Sequence, residues 1–143
     1  MKARDERGSI TPLIIGFAVV VALLVAVVVD ASAAYLRRQG LNSLADAAAL
    51  AATDGLQGDA VYTRGLDDRA EIDPSAASTY VEEYLRSSGA TTRYPGLTWA
   101  VSTTATTVVV RVAAPLDLPL RVAGVGETAS VTGDAAAVVV VSD

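Results

Sequence analysis

The 143 residues contain no histidine and no cysteine. That removes disulfides, thiolate chemistry, the commonest zinc ligands and the usual general base. What remains for chemistry is carboxylates, hydroxyls and arginines. The densest acidic set lies between Asp54 and Ile72, where Asp54, Asp59, Asp67, Asp68 and Glu71 alternate with Gly55, Gly58 and Gly65. Clustered oxygen donors suit calcium, but the ligand alternation around a fixed glycine that makes an EF-hand loop is absent. We read 54–72 as a solvated acidic loop and expect no metal and no cofactor. Nucleophilic hydrolysis needs a hydroxyl held beside a base, and the serines, threonines and acids stand in no such spacing. An enzyme is therefore not expected. Asp46 is a separate case, a carboxylate in an alanine-rich run; there it either faces solvent, bonds an arginine of the fold or bonds a neighbouring subunit.

The element that must position everything else is Gly8 to Val29, which holds no charged residue and is bounded by Arg7 and Asp30. Some twenty helical residues at about 1.5 Å each span a hydrocarbon core of about 30 Å. About a dozen Leu, Ile, Val and Phe residues at roughly −0.3 to −0.6 kcal/mol each favour insertion by several kcal/mol. The segment 9–29 is thus a transmembrane helix in contact with the lipid bilayer.

Lys2, Arg4 and Arg7 outweigh Asp5 and Glu6 in the tail 1–8, while Asp30 onward carries eight arginines against fourteen acids. By the positive-inside rule the tail 1–8 is cytoplasmic and 30–143 is extracytoplasmic, with Arg37 and Arg38 pulling mildly the other way. An acidic exterior with Lys2 as the only lysine has no attraction for nucleic acid. About 110 residues outside the lipid suffice for one small core.

Within that part, Ala31–Thr53 holds no proline, so the helix continues over 30–53. Leu41, Leu44, Ala45, Ala48 and Ala52 recur at three- and four-residue steps and form, with Asp46 among them, a narrow seam suited to helix association. The seam needs cover, which the C-terminal half must supply. Gly40 marks a weak point or bend. Asp73-Pro74 opens a second helix over 73–88, with Asp73 as N-cap, Tyr80, Val81, Tyr84 and Leu85 on its apolar face and Gly89 at its end. From Leu97 the period becomes two. Leu97, Trp99 and Val101 share one face of a strand with Trp99 as a core anchor, Thr106–Ala113 makes a second strand, and Thr128–Val141 a third, filling 97–141. Pro115 and Pro119 bracket an apolar connection whose Leu116, Leu118, Leu120 and Val122 either fold back on the sheet or meet a partner. Ala135–Val141 is continuously apolar, which implies cover on both faces or an edge open to another chain. The sum is an α+β fold: a long N-terminal helix, transmembrane then amphipathic, a short second helix, and a small antiparallel sheet of about three strands.

Arg7-Gly8-Ser9 before the apolar run, Asp30 after it, and Leu41-Asn42-Ser43-Leu44-Ala45-Asp46-Ala47-Ala48-Ala49-Leu50-Ala51-Ala52 resemble the N-terminal region of TadE/TadG-like proteins of the tight-adherence (Flp) pilus assembly system. The resemblance covers about a third of the chain. It implies a single-pass, pilin-like or accessory component of the cell envelope whose partners are other pilus-assembly or pilin-like subunits. In pilin-like members a peptidase cuts after a glycine ahead of the apolar segment, which places a possible processing site at Gly8 and Ser9. Those members carry a glutamate at the fifth mature position, where this chain has Leu13. The rival reading is a secreted binding protein with a signal peptide cleaved at Ala31-Ser32-Ala33; its apolar run is longer than the usual 7 to 15 residues and Asp30 intrudes beside it.

Overall fold

The computed structural model describes residues 10–64, 72–116 and 130–138, the side chains of 60–64 excepted. Its first element is a single helix, α1, Thr11–Arg64. It is followed by α2 (Pro74–Ser87), a one-turn α3 (Ala90–Arg93), and the strands β1 (Thr98–Thr103), β2 (Thr107–Pro115) and β3 (Ser130–Val138). The strands form one antiparallel sheet in the order β1-β2-β3. The α+β architecture expected from the periodicities is the one observed.

The register shows how the sheet is used. Val101 pairs with Val110, Val112 with Gly133 and Val110 with Ala135. Directly opposed residues share a face, so Val108, Val110, Val112, Ala114, Gly133 and Ala135 lie together on the covered face, and all are buried. Across them pack α1 and α2, which contribute Leu41, Ala45, Ala48, Ala49, Ala52, Ala77, Val81 and Leu85 to the same core. The opposite face carries Thr98, Ala100 and Ser102, then Arg111, then Ser130, Thr132 and Asp134, all exposed. Ser130, Thr132 and Asp134 thus point outward as their alternation requires. An antiparallel sheet tolerates one solvated face.

The close approach of helix and sheet is decided at Gly133. A Cβ there would lie 2.5 Å from the Leu41 carbonyl carbon and 2.6 Å from the Asn42 nitrogen. The backbones of α1 and β3 meet there, and only a residue without a side chain lets them.

Asp73 caps α2 as expected: its Oδ1 accepts from the Ser75 backbone N–H at 2.8 Å and from the Ser75 hydroxyl at 2.7 Å. Gly89 follows in the left-handed conformation, φ 69°, which suits glycine at a helix end. Replacing Asp73 with alanine should destabilise the chain by about 1 kcal/mol, the usual value of such a cap. The midpoint of a urea titration of the detergent-solubilised chain, followed by circular dichroism, is the measurement; an unchanged midpoint would mean that the cap contributes nothing.

Several expectations need correction. The helix does not end at Thr53 with a loop over 54–72 but runs to Arg64, and at Gly55 α2 supplies the packing that the glycine lacks. The Tyr80 ring lies where a Gly55 side chain would be, with ring carbons 2.7 Å from an ideal Cβ. One turn on, the Tyr80 hydroxyl donates to the Asp59 carboxylate. Gly40 does not interrupt the helix either, and its missing side chain makes room for the Tyr94 hydroxyl. Trp99 is not a core anchor. It shares the covered face through its pairing with Val112, but β1 is an outer strand of the sheet and Trp99 stays 39% exposed. Along β3, Ala135 is buried, Ala136 exposed and Val138 exposed, so this part of the apolar run is covered on one face only. Residues 1–9, Leu118, Pro119, Leu120, Val122 and 139–141 lie outside the described residues, while Leu116 is half-buried at the end of β2.

The Tyr80–Asp59 hydrogen bond gives α1 and α2 a pH-dependent tie. The bond to Asp59 raises the Tyr80 phenol above its ordinary value of 10.0, followed by desolvation and then by the charges of Asp59 and Glu83. A group raised in the folded state stabilises fully below its unfolded value and loses that contribution as pH rises through the folded one. The wild-type chain should therefore lose stability above about pH 10 more steeply than Tyr80→Phe. Parallel thermal-midpoint curves for the two chains would show that the tie carries no linkage.

Candidate functional site

The candidate functional surface is the N-terminal half of α1 together with the place where it enters the head. From Ile10 to Val29 the apolar side chains stand clear of the rest of the molecule: Phe17 is 69% and Leu13 73% exposed. None of the most apolar 18-residue window is buried by the rest of the chain. A soluble core helix would hide such residues, and this one leaves them without cover along a length that matches a bilayer. Just past Val29, the Ser32 hydroxyl donates to the Val28 carbonyl at 2.7 Å, satisfying a polar group beside the apolar run.

The same helix then becomes the spine of the head without interruption. The expected association seam has its partner inside the chain: Leu41, Ala45, Ala48 and Ala52 are fully buried against the sheet and α2, and Leu44 is half-buried against the same core. The helix and the sheet come closest at Gly133, whose missing side chain admits the α1 backbone at Leu41 and Asn42. The seam residues are consumed by the chain's own fold and present no face to a neighbouring subunit. Asp46 is exposed, which leaves it on the solvent side of the helix. The possible processing site, Gly8 and Ser9, lies outside the described residues.

Where span and head meet, the structure brings together Arg37, Gly40 and Tyr94. The Arg37 guanidinium lies over the Tyr94 ring, 5.4 Å from its centroid, a cation–π arrangement. Its Nε and Nη2 are buried and have no hydrogen-bond partner among the described residues. Tyr94 also packs against Gly40, so one tyrosine brackets two successive positions on the same helix face. The signal was present in the sequence: Arg37 stands four residues before Leu41 and eight before Ala45, in phase with the buried side. Among the described residues, no three acids or other ligating groups gather at a site able to hold a metal ion.

The arrangement is that of a single exposed apolar helix carrying a small α+β head, a form compatible with single-pass membrane anchoring. Residues 8–57 match the family model described as putative Flp pilus-assembly TadE/G-like. The match begins just ahead of the span and ends past Gly55, so it covers the anchor and the buried half of α1. No curated protein and no solved structure gives a match. The matched segment and the apolar helix together fit a membrane-anchored pilus-assembly protein.

Proposed function

We propose that the chain is a single-pass structural or accessory component of a pilus-assembly apparatus, oriented with residues 1–8 in the cytoplasm and the α+β head outside. The observation that carries this reading is the coincidence of the 8–57 match with an uncovered apolar helix that continues unbroken into the head. A rigid continuation of that kind holds the head at a fixed height over the bilayer, where it can meet other pilus-assembly or pilin-like subunits. The role is mechanical and needs no catalysis.

Surfaces for such partners are the parts of the head that the chain leaves open. The alanine seam is closed, so contacts with other subunits fall to the solvated sheet face, to the outer strands or to the span itself. In the span, close helix packing would run along small residues such as Gly16, Ala18 and Ala22.

Because the chain has no cysteine, its orientation can be read from single-cysteine variants. In intact cells a membrane-impermeant maleimide should label Ser102→Cys, on the exposed sheet face, and should label Lys2→Cys only after permeabilisation. The reverse pattern would overturn the orientation.

A further inference from the structure

The open face of the sheet differs in charge from the rest of the head. From Asp30 onward the chain carries eight arginines against fourteen acids, yet among the described residues this face holds one of each, Arg111 on β2 and Asp134 on β3, both exposed. They are direct cross-strand partners, so they stand side by side near the middle of the face. The rows on either side are short and uncharged: Val109 opposite Ala136 toward one end, and Ala113 opposite Thr132 toward the other. Arg111 apart, no long side chain rises from these rows, and antiparallel faces of that kind stack with aligned strands about 10 Å apart. A half-turn about a line running along the strands, midway between β2 and β3, exchanges the two columns. It lays Arg111 of one copy over Asp134 of another and Asp134 over Arg111, while Val109 meets Ala136 and Ala113 meets Thr132. The face is complementary to itself, as an isologous two-fold contact requires.

We infer that this face binds a second copy of the chain, with Arg111 and Asp134 paired reciprocally across a two-fold axis. The inference rests on the membrane-anchored reading and names a partner for a face which that reading leaves open. Anchoring also selects the mode of contact. The sheet lies against α1, so its normal is perpendicular to the helix axis. Pairing two outer strands edge to edge and antiparallel needs a rotation about that normal, which would turn one span upside down. A two-fold axis in the plane of the sheet can stand upright on the bilayer and keep both spans pointing the same way. The exposed acids Asp46, Glu82 and Glu83 lie on the helices, away from the contact. Strands of nine residues are about 30 Å long and about 4.8 Å apart, so two overlapping columns cover on the order of 300 Å² per copy. That is less than the roughly 800 Å² per partner of a standard interface and places the contact in the weak, transient class. The shared bilayer sustains it by raising the effective concentration of one head near another. The ion pairs then set register and partner choice more than affinity.

The test is energy transfer between full-length chains in phosphatidylcholine–phosphatidylglycerol vesicles, each chain carrying Lys2→Cys labelled with a donor or an acceptor maleimide. Wild-type heads should give transfer above the level set by random proximity at the same lipid ratio. Arg111→Glu and Asp134→Arg, each tested alone, should lower the association constant by about tenfold or more, since two like-charge contacts replace two favourable ones. Mixing Arg111→Glu donors with Asp134→Arg acceptors should restore transfer, because both contacts between them again join opposite charges while neither chain regains its own cross-strand pair. The double variant Arg111→Glu/Asp134→Arg should associate as wild type does, which guards against misfolding of the single variants. Wild-type transfer at the random level, or transfer that neither single variant lowers, overturns the contact and leaves the anchor standing. Loss in both single variants with no recovery in their mixture overturns the two-fold pairing. A chain that is not retained in the vesicles overturns the anchored reading beneath it.

Discussion

Gly133→Val is expected to unfold or grossly loosen the head while leaving the anchor in place. A branched side chain at Gly133 must displace the α1 backbone, since the atoms it meets are the Leu41 carbonyl carbon and the Asn42 nitrogen, 2.5 and 2.6 Å from the Cβ position. Overpacking against movable side chains costs about 1–3 kcal/mol, occasionally more. Here the obstacle is backbone belonging to a long helix that cannot yield locally, so about 3 kcal/mol or more is expected, a large part of a small domain's roughly 5–15 kcal/mol. Moving α1 away also uncovers Leu41 and Ala45, which the sheet buries completely. Thermal unfolding of the full chain in detergent micelles should show a midpoint lowered by roughly 12 °C or more. A midpoint within about 2 °C of wild type would mean that helix and sheet do not meet at this position.

Val21→Arg/Leu24→Arg is expected to abolish membrane integration. Two arginines near the middle of the span cost about 2.5–3.5 kcal/mol each on the insertion scale, and two favourable residues are lost with them. The total, roughly 6–8 kcal/mol, matches or exceeds what the remaining apolar residues supply. Carbonate extraction should leave the wild-type chain in the membrane pellet and release the variant to the supernatant or to aggregates. Val21→Leu should behave as wild type. If the double variant stayed in the pellet in full, the lipid-facing role of this segment would be wrong.

These two substitutions act on different halves of one helix, and the halves were not equally readable from the sequence. The span declared itself through composition alone: a run from Gly8 to Val29 without charge needs no partner to be interpreted. The second helix was legible because Asp73-Pro74 and Gly89 are local signals, set by backbone donors and φ preferences within a few residues. The strands were legible from their period of two. What local reading missed was decided by distant contacts. Gly55 looks like a breaker in isolation, and only the Tyr80 ring packed against it, with the Tyr80 bond to Asp59, shows why the helix passes it. Trp99 has the right parity for a core, and its partial exposure follows from the position of β1 at the side of the sheet, which parity does not encode.

The seam teaches the same lesson about function. An alanine-rich stripe on a helix is compatible with a neighbouring subunit and with the chain's own sheet, and the sequence of the helix alone does not separate them. Gly133, about ninety residues away, separates them by admitting the helix backbone. Arg37, four residues before Leu41, is in phase with the buried face and lies against Tyr94, a partner more than fifty residues away in sequence.

The central claim is that the apolar segment stays on the chain as its anchor and the head is built on its continuation. The most direct test is the intact mass and N-terminal sequence of the protein recovered from the membrane fraction of its own host. A membrane-bound chain retaining Pro12–Val29, whether whole or beginning at Ser9, is the result predicted, and a start at Ser9 would add peptidase processing after Gly8. A soluble chain beginning at Ala34 would contradict the account and leave a secreted α+β domain in its place.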